Sequence, residues 1–104
     1  CPLSQNGCAR ILSQPAYSNS ISTARALEKI ADACSQPEHE FWPDSISLVD
    51  PKIARVDRIH GPRQLTDIYL LALAVNRGGK LVTLDERIPL SAVHGARAEH
   101  LLVI

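Results

Sequence analysis

The sequence runs to 104 residues, room for one small domain, and its 45% hydrophobic and 21% charged content is that of an ordinary globular chain and not of a disordered one. Eleven basic side chains balance eleven acidic ones, so net charge gives no argument for a nucleic-acid partner. No apolar run approaches the roughly 20 residues that span a bilayer. Cys1, Cys8 and Cys34 lack any C-x-x-C spacing and suggest neither a disulfide framework nor a zinc site, which favours a reducing, cytoplasmic setting.

The balance of charge conceals an asymmetry. Residues 1–50 carry Arg10, Arg25 and Lys29 against six acidic groups, whereas residues 51–104 are basic in excess. Within the second half Lys52, Arg55, Arg58 and Arg63 are opposed locally by Asp57 alone, in a stretch punctuated by Pro51, Gly61 and Pro62. Such a stretch reads as exposed loop, either simply solvated or forming an edge that contacts phosphates. The four histidines, His39, His60, His94 and His100, are scattered without metal-ligand spacing.

In chain order, a first helix is expected over about Gln5–Ser13, with Ser4 as its N-cap, Cys8, Ile11 and Leu12 on its apolar face, and Pro15 beyond its end. Cys8 and Cys34 on such faces would behave as small buried hydrophobes. A second helix is expected over about Ser22–Cys34, with Ala24, Leu27, Ala31 and Cys34 at helical spacing. Short extended elements are expected at Glu40–Trp42, before Pro43, and at Ser47–Val49. Phe41 and Trp42 suit core or dimer contact, and base stacking is the alternative.

The clearest signals lie further on. Thr66 is placed to cap a helix whose body, residues 68–75, is apolar on nearly every side and should therefore be buried all round. Gly78-Gly79 ends it. Residues 80–84 then form a nearly continuous apolar run, the pattern of a strand inside a parallel sheet, and residues 100–104 read as a last strand. Helices alternating with short apolar strands indicate an α/β fold around a parallel sheet.

This arrangement places two carboxylates. A helix over 66–77 is about 18 Å long, and a strand over 80–84 is about 16 Å. The chain thus descends the helix and returns along the strand. Asp67, in the first turn of the helix, and Asp85, just past the strand, should meet at the sheet edge where open α/β sheets bind ligands. Converging carboxylates repel unless a cation or a proton lies between them. Mg²⁺ suits such a pair. The two residues also suit plainer roles, Asp67 complementing the helix dipole and Asp85 turning the chain out of the strand.

The runs Leu65-Thr66-Asp67-Ile68-Tyr69-Leu70-Leu71-Ala72-Leu73-Ala74 and Gly78-Gly79-Lys80-Leu81-Val82-Thr83-Leu84-Asp85 resemble the third and fourth acidic motifs of PIN domains. The opening Cys1-Pro2-Leu3-Ser4-Gln5-Asn6-Gly7, followed by Arg10-Ile11-Leu12, resembles the segment carrying the second, and Phe41-Trp42-Pro43-Asp44 resembles the VapC-type toxin branch. The resemblance covers essentially the whole chain in the right order. It implies a PIN-like α/β/α sandwich and a metal-dependent endoribonuclease of a toxin–antitoxin pair, with Mg²⁺ or Mn²⁺ as cofactor, RNA as substrate and an antitoxin protein as partner.

By the same resemblance Asp67 and Asp85 would be metal ligands, with Thr83 nearby to hydrogen-bond a carboxylate or a water. Gln5 stands where the family usually has Glu. Arg10, on one helical face with Gln5, suits pairing with a site carboxylate or a phosphate and equally a plain surface position. The family's first Asp lies on an N-terminal strand with no counterpart here, so the chain reads as the last three-quarters of a larger domain. An unpaired sheet edge would then favour a homodimer. A PIN-like fold that binds RNA or an antitoxin without cleaving is the alternative reading, motivated by Gln5 and the missing Asp.

Overall fold

In the computed structural model, which describes all 104 residues, the chain forms two compact units, Cys1–Asp44 and Ser45–Ile104. The first is a pair of helices, α1 (Pro2–Leu12) and α2 (Thr23–Cys34), packed on each other. The second holds α3 (Leu65–Asn76) and two short strands, β1 (Leu81–Thr83) and β2 (Leu101–Val103).

The first unit departs from the sequence expectation in its details. α1 begins earlier than expected, at Pro2, with Cys1 as N-cap. Proline is well suited to the first helical turn, where its missing N–H costs no bond. Ser4 therefore sits at the third helical position, and its hydroxyl donates back to the Cys1 carbonyl at 2.9 Å. The face of α1 turned inward carries Ala9, buried, with Gln5 and Leu12 half-buried, whereas Cys8 and Ile11 are exposed. On α2, Ala26 is fully buried and Ile30 and Cys34 half-buried, while Ala24, Leu27 and Ala31 face solvent. Each apolar stripe is thus rotated from the expected one. With a single helix for a partner, only a narrow seam is covered, and it centres on alanines that allow close approach. Ser22 caps α2 as expected, accepting from the Arg25 N–H at 3.1 Å.

Residues 40–42 and 47–49 form no strands, contrary to expectation. Trp42 is half-buried and Phe41 exposed. Ser47 instead starts a turn, accepting the Asp50 N–H on its carbonyl at 3.1 Å.

The second unit is built around α3. Ile68, Leu71, Ala72, Leu73 and Ala74 are all buried, so more than one side of the helix is covered. Ile88, Ala92 and Val93 close the core over it, joined by half-buried Ile46, Leu48, Ile53, Ile59, Leu81 and Leu101. The helix starts one residue before Thr66, and Gln64 holds the N-cap position without a side-chain cap bond, so the expected Thr66 cap is not formed. A single 3-10 turn, Pro62–Gln64, leads into it.

The end of α3 follows the sequence. Gly78 adopts φ +67°, its N–H donates to Val75 O at 3.1 Å, and the Gly79 N–H reaches back to Ala74 O at 2.8 Å. This pair of bonds is a Schellman motif, and it satisfies carbonyls that the helix end would orphan. The chain then runs directly into β1, which pairs in parallel with β2 in the register Leu81↔Leu101, Val82↔Leu102 and Thr83↔Val103. The fold is α/β with a parallel sheet, as the sequence indicates, and the sheet has two strands. β1 is not enclosed on both faces, however: Val82 is 54% and Leu84 79% exposed. Leu81 packs on the core, while Val82 in the strand and Leu84 just past it point outward.

Gly78→Ala tests the helix stop. An L side chain in the left-handed region costs about 1 kcal/mol, and urea unfolding of the full chain should show a loss of that size.

Candidate active site and the family of the chain

The Schellman reversal places the first turn of α3 and the exit of β1 at the same end of the second unit. A cavity of about 180 Å³ lies there, lined by Arg63 and Gln64 ahead of α3, Asp67 in its first turn, and Asp85, Arg87, Ile88 and Pro89 after β1. The two carboxylates expected from the sequence to meet thus line one cavity.

Local hydrogen bonds fix the orientation of Asp85. Its backbone N–H donates to Thr83 Oγ1 at 3.1 Å. Its Oδ1 accepts the backbone N–H of Arg87 at 2.8 Å, the self-made turn that aspartate favours at the end of a strand. The Arg87 side chain closes on the same carboxylate, Nε donating to Oδ1 at 3.1 Å and Nη2 to Oδ2 at 3.4 Å. The plainer expectation for Asp85, that it turns the chain, therefore describes the structure, and the carboxylate still reaches the cavity. Thr83 bonds the backbone N–H of Asp85 rather than a carboxylate, so its contribution is to the loop's shape.

Arg87 was not among the residues singled out from the sequence. The signal was available: an Asp with Arg two positions later, just past a strand, suits an Asp-centred turn whose arginine folds back on the carboxylate.

The basic residues expected to face RNA are all exposed. Arg63 lines the cavity. Arg55 donates from Nε to His94 Nδ1 at 3.2 Å, Arg58 lies 3.8 Å from Asp57, and Lys52 stands on the turn whose N–H is held by Asp50 Oδ1 at 2.9 Å. Gln5 and Arg10 belong to the first unit. Gln5 lies in an open groove beside Cys8, Cys34 and Trp42, and its amide donates to Cys34 Sγ at 3.4 Å. Arg10, in the last turn of α1, is exposed.

As donors, Asp67 and Asp85 offer hard carboxylate oxygens, the chemistry Mg²⁺ or Mn²⁺ takes while keeping several waters. No group of three or more His, Cys, Asp or Glu side chains is arranged around a metal position. No helix is long and apolar enough to cross a membrane.

Across its full 104 residues the chain is 45% identical to Ribonuclease VapC44 of Mycobacterium tuberculosis, covering 73% of that protein. It belongs to the VapC ribonuclease family. Two further ribonucleases of the same organism align over 95 residues, VapC39 at 35% identity, with 90% of this chain and 68% of the relative covered, and VapC29 at 36%, with 91% and 65%. No family model and no solved structure matches the chain. Membership in the VapC family makes the chain a ribonuclease by homology.

The Arg87 contacts hold the Asp85 pKa below the usual carboxylate range, the side-chain bond contributing most and the backbone N–H next, with desolvation opposing them. Asp85 in turn raises the Arg87 pKa, so the guanidinium stays protonated. A depressed native pKa stabilises the fold above the unfolded value of about 3.9. That contribution fades as pH falls from there through the native pKa, and Asp85 adds no pH dependence near neutrality. Carboxyl-carbon NMR titration should give Asp85 a low midpoint that rises in Arg87→Ala, while staying partly depressed by the remaining backbone bond. A midpoint unmoved by the substitution would contradict this account.

Proposed function

We propose that the chain acts as a metal-dependent endoribonuclease of a toxin–antitoxin pair, hydrolysing RNA phosphodiester bonds at the cavity shared by Asp67 and Asp85. The observation that carries the reading is that these two carboxylates line one cavity with Arg63 and Arg87, in a chain 45% identical to a VapC ribonuclease. Asp67 and Asp85 would hold Mg²⁺ or Mn²⁺ through their carboxylate oxygens. When bound, such an ion supplies an activated water and neutralises charge developing on the phosphate.

The chain's own groups do the rest. Asp67 presents its carboxylate from the first turn of a helix locked by Ile68 and Leu71, so its position is fixed before substrate arrives. Thr83 fixes the loop that carries Asp85. Of the sequence-expected basic groups, Arg63 lines the cavity and would take the phosphate being attacked. Lys52, Arg55 and Arg58 would contact flanking phosphates, which position the RNA without reading its sequence. Gln5 and Arg10 remain candidates on α1, with Gln5 able to offer a neutral amide oxygen but unable to act as a base. An antitoxin would be the protein partner, and the protein would act in the cytoplasm as a homodimer.

A second reading has a specific observation behind it. Gln5 replaces the acidic residue the resemblance calls for, and its amide bonds Cys34. Fewer carboxylates weaken cation binding, and a chain that binds RNA or an antitoxin without cutting would result.

Two experiments separate these readings. Asp67→Asn and Asp85→Asn should each lower Mg²⁺- or Mn²⁺-dependent cleavage of single-stranded RNA about a hundredfold or more, measured on the full-length gene product. Unchanged cleavage in both would remove the catalytic assignment, and retained RNA binding with no cleavage in the unmutated protein would favour the binding module. Arg63→Ala should weaken RNA binding and flatten the plot of log affinity against log salt by about 0.7. An unchanged slope would take Arg63 out of the phosphate contacts.

A further inference from the structure

Asp85 has a resident cation of its own. The Arg87 guanidinium covers both oxygens of the carboxylate, Nε on Oδ1 at 3.1 Å and Nη2 on Oδ2 at 3.4 Å. Arg87 lies within the same cavity, and its side chain is 88% exposed against 33% for Asp85. A divalent ion reaching Asp85 from the cavity therefore meets lone pairs already engaged. Exposure makes the arginine the mobile member of the pair, since an exposed ion pair is weak and a long side chain regains rotamer freedom on release. The backbone N–H of Arg87 also holds Oδ1, at 2.8 Å, and that bond does not depend on the guanidinium. Asp85 thus keeps its orientation when the side chain leaves.

We infer that Arg87 is an internal counter-ion of the cation site, pairing with Asp85 when the site is empty and yielding the carboxylate when a divalent cation binds. The inference rests on the proposed cation site of Asp67 and Asp85 and adds to it a residue that sets its affinity. Arg87 is a positioning residue in this role: it stops Asp67 and Asp85 from facing each other as uncompensated charges, at a cost in cation affinity. Arg63 lines the same cavity without an ion pair to either carboxylate, so it supplies positive charge but no competition for lone pairs.

Mn²⁺ titrated into the full chain without RNA, followed by the loss of its free electron paramagnetic resonance signal, tests the inference. Arg87→Ala should bind Mn²⁺ about two- to fivefold more tightly than the unmutated chain. Arg87→Lys, which keeps the charge and loses the two-pronged grip, should fall between them. Arg63→Ala should gain less than Arg87→Ala, and in an Asp85→Asn background removal of Arg87 should give no more than Arg63→Ala does. Equal affinity of Arg87→Ala and the unmutated chain overturns the inference and leaves the cation site standing. So does an equal gain in Arg63→Ala, or a gain that persists in full in Asp85→Asn, because either reduces the effect to net charge. Absence of Mn²⁺ binding in both the unmutated chain and Arg87→Ala overturns the cation site and the inference together.

Discussion

The burial of α3 is the constraint on which the second unit depends. Ile68, Leu71 and Leu73 are its largest fully enclosed side chains, and all belong to this one helix. A helix covered on several sides can neither rotate nor slide without opening voids, and interiors packed at crystal-like density resist both. Because α3 is fixed, so is the start of β1, which follows the Schellman turn at Gly78 and Gly79 with only Lys80 between. The position of Asp67 relative to the exit of β1 is therefore a property of the core, while the rest of the cavity wall is turn and loop.

The electrostatics of the cavity complement that constraint. Two carboxylates facing one small space would repel, and the fold answers with arginines on the same wall, one of them paired directly to Asp85. The compensation comes from exposed side chains, whereas Asp67 is carried by α3 and Asp85 is held by the bonds of its own turn.

Several parts of this structure were legible in the sequence for identifiable reasons. The run at residues 68–75 is too apolar to be anything but enclosed, and Gly78-Gly79 permits the one backbone conformation that ends such a helix abruptly. β1 and β2 announce themselves as short apolar runs after it. Asp67 and Asp85 line one cavity as expected, although the strand between them has three residues and not the five that the length argument assumed. The faces of α1 and α2 were misjudged because periodicity shows that a stripe exists but not how wide a seam its partner will cover. With one helix against one helix, the alanines were chosen over Cys8, Ile11 and Leu27. The strand expected at 40–42 failed because three apolar or charged residues before a proline carry no information about a pairing partner. The Arg87 contact was invisible to a search for acidic residues, since it belongs to the turn and not to the motif.

The link from α3 to β1 also bears on how this segment can vary. One residue inserted within α3 would turn Asp67 by about 100° relative to everything beyond it. One inserted in β1 would exchange its inward and outward faces, because side chains alternate along a strand. A change in the length of the stretch from Leu65 to Asp85 cannot be absorbed locally, since no loop longer than the few residues around Gly78 exists there to take up the slack. The distance between the two aspartates along the chain is thereby as much a structural element as the helix and strand that separate them.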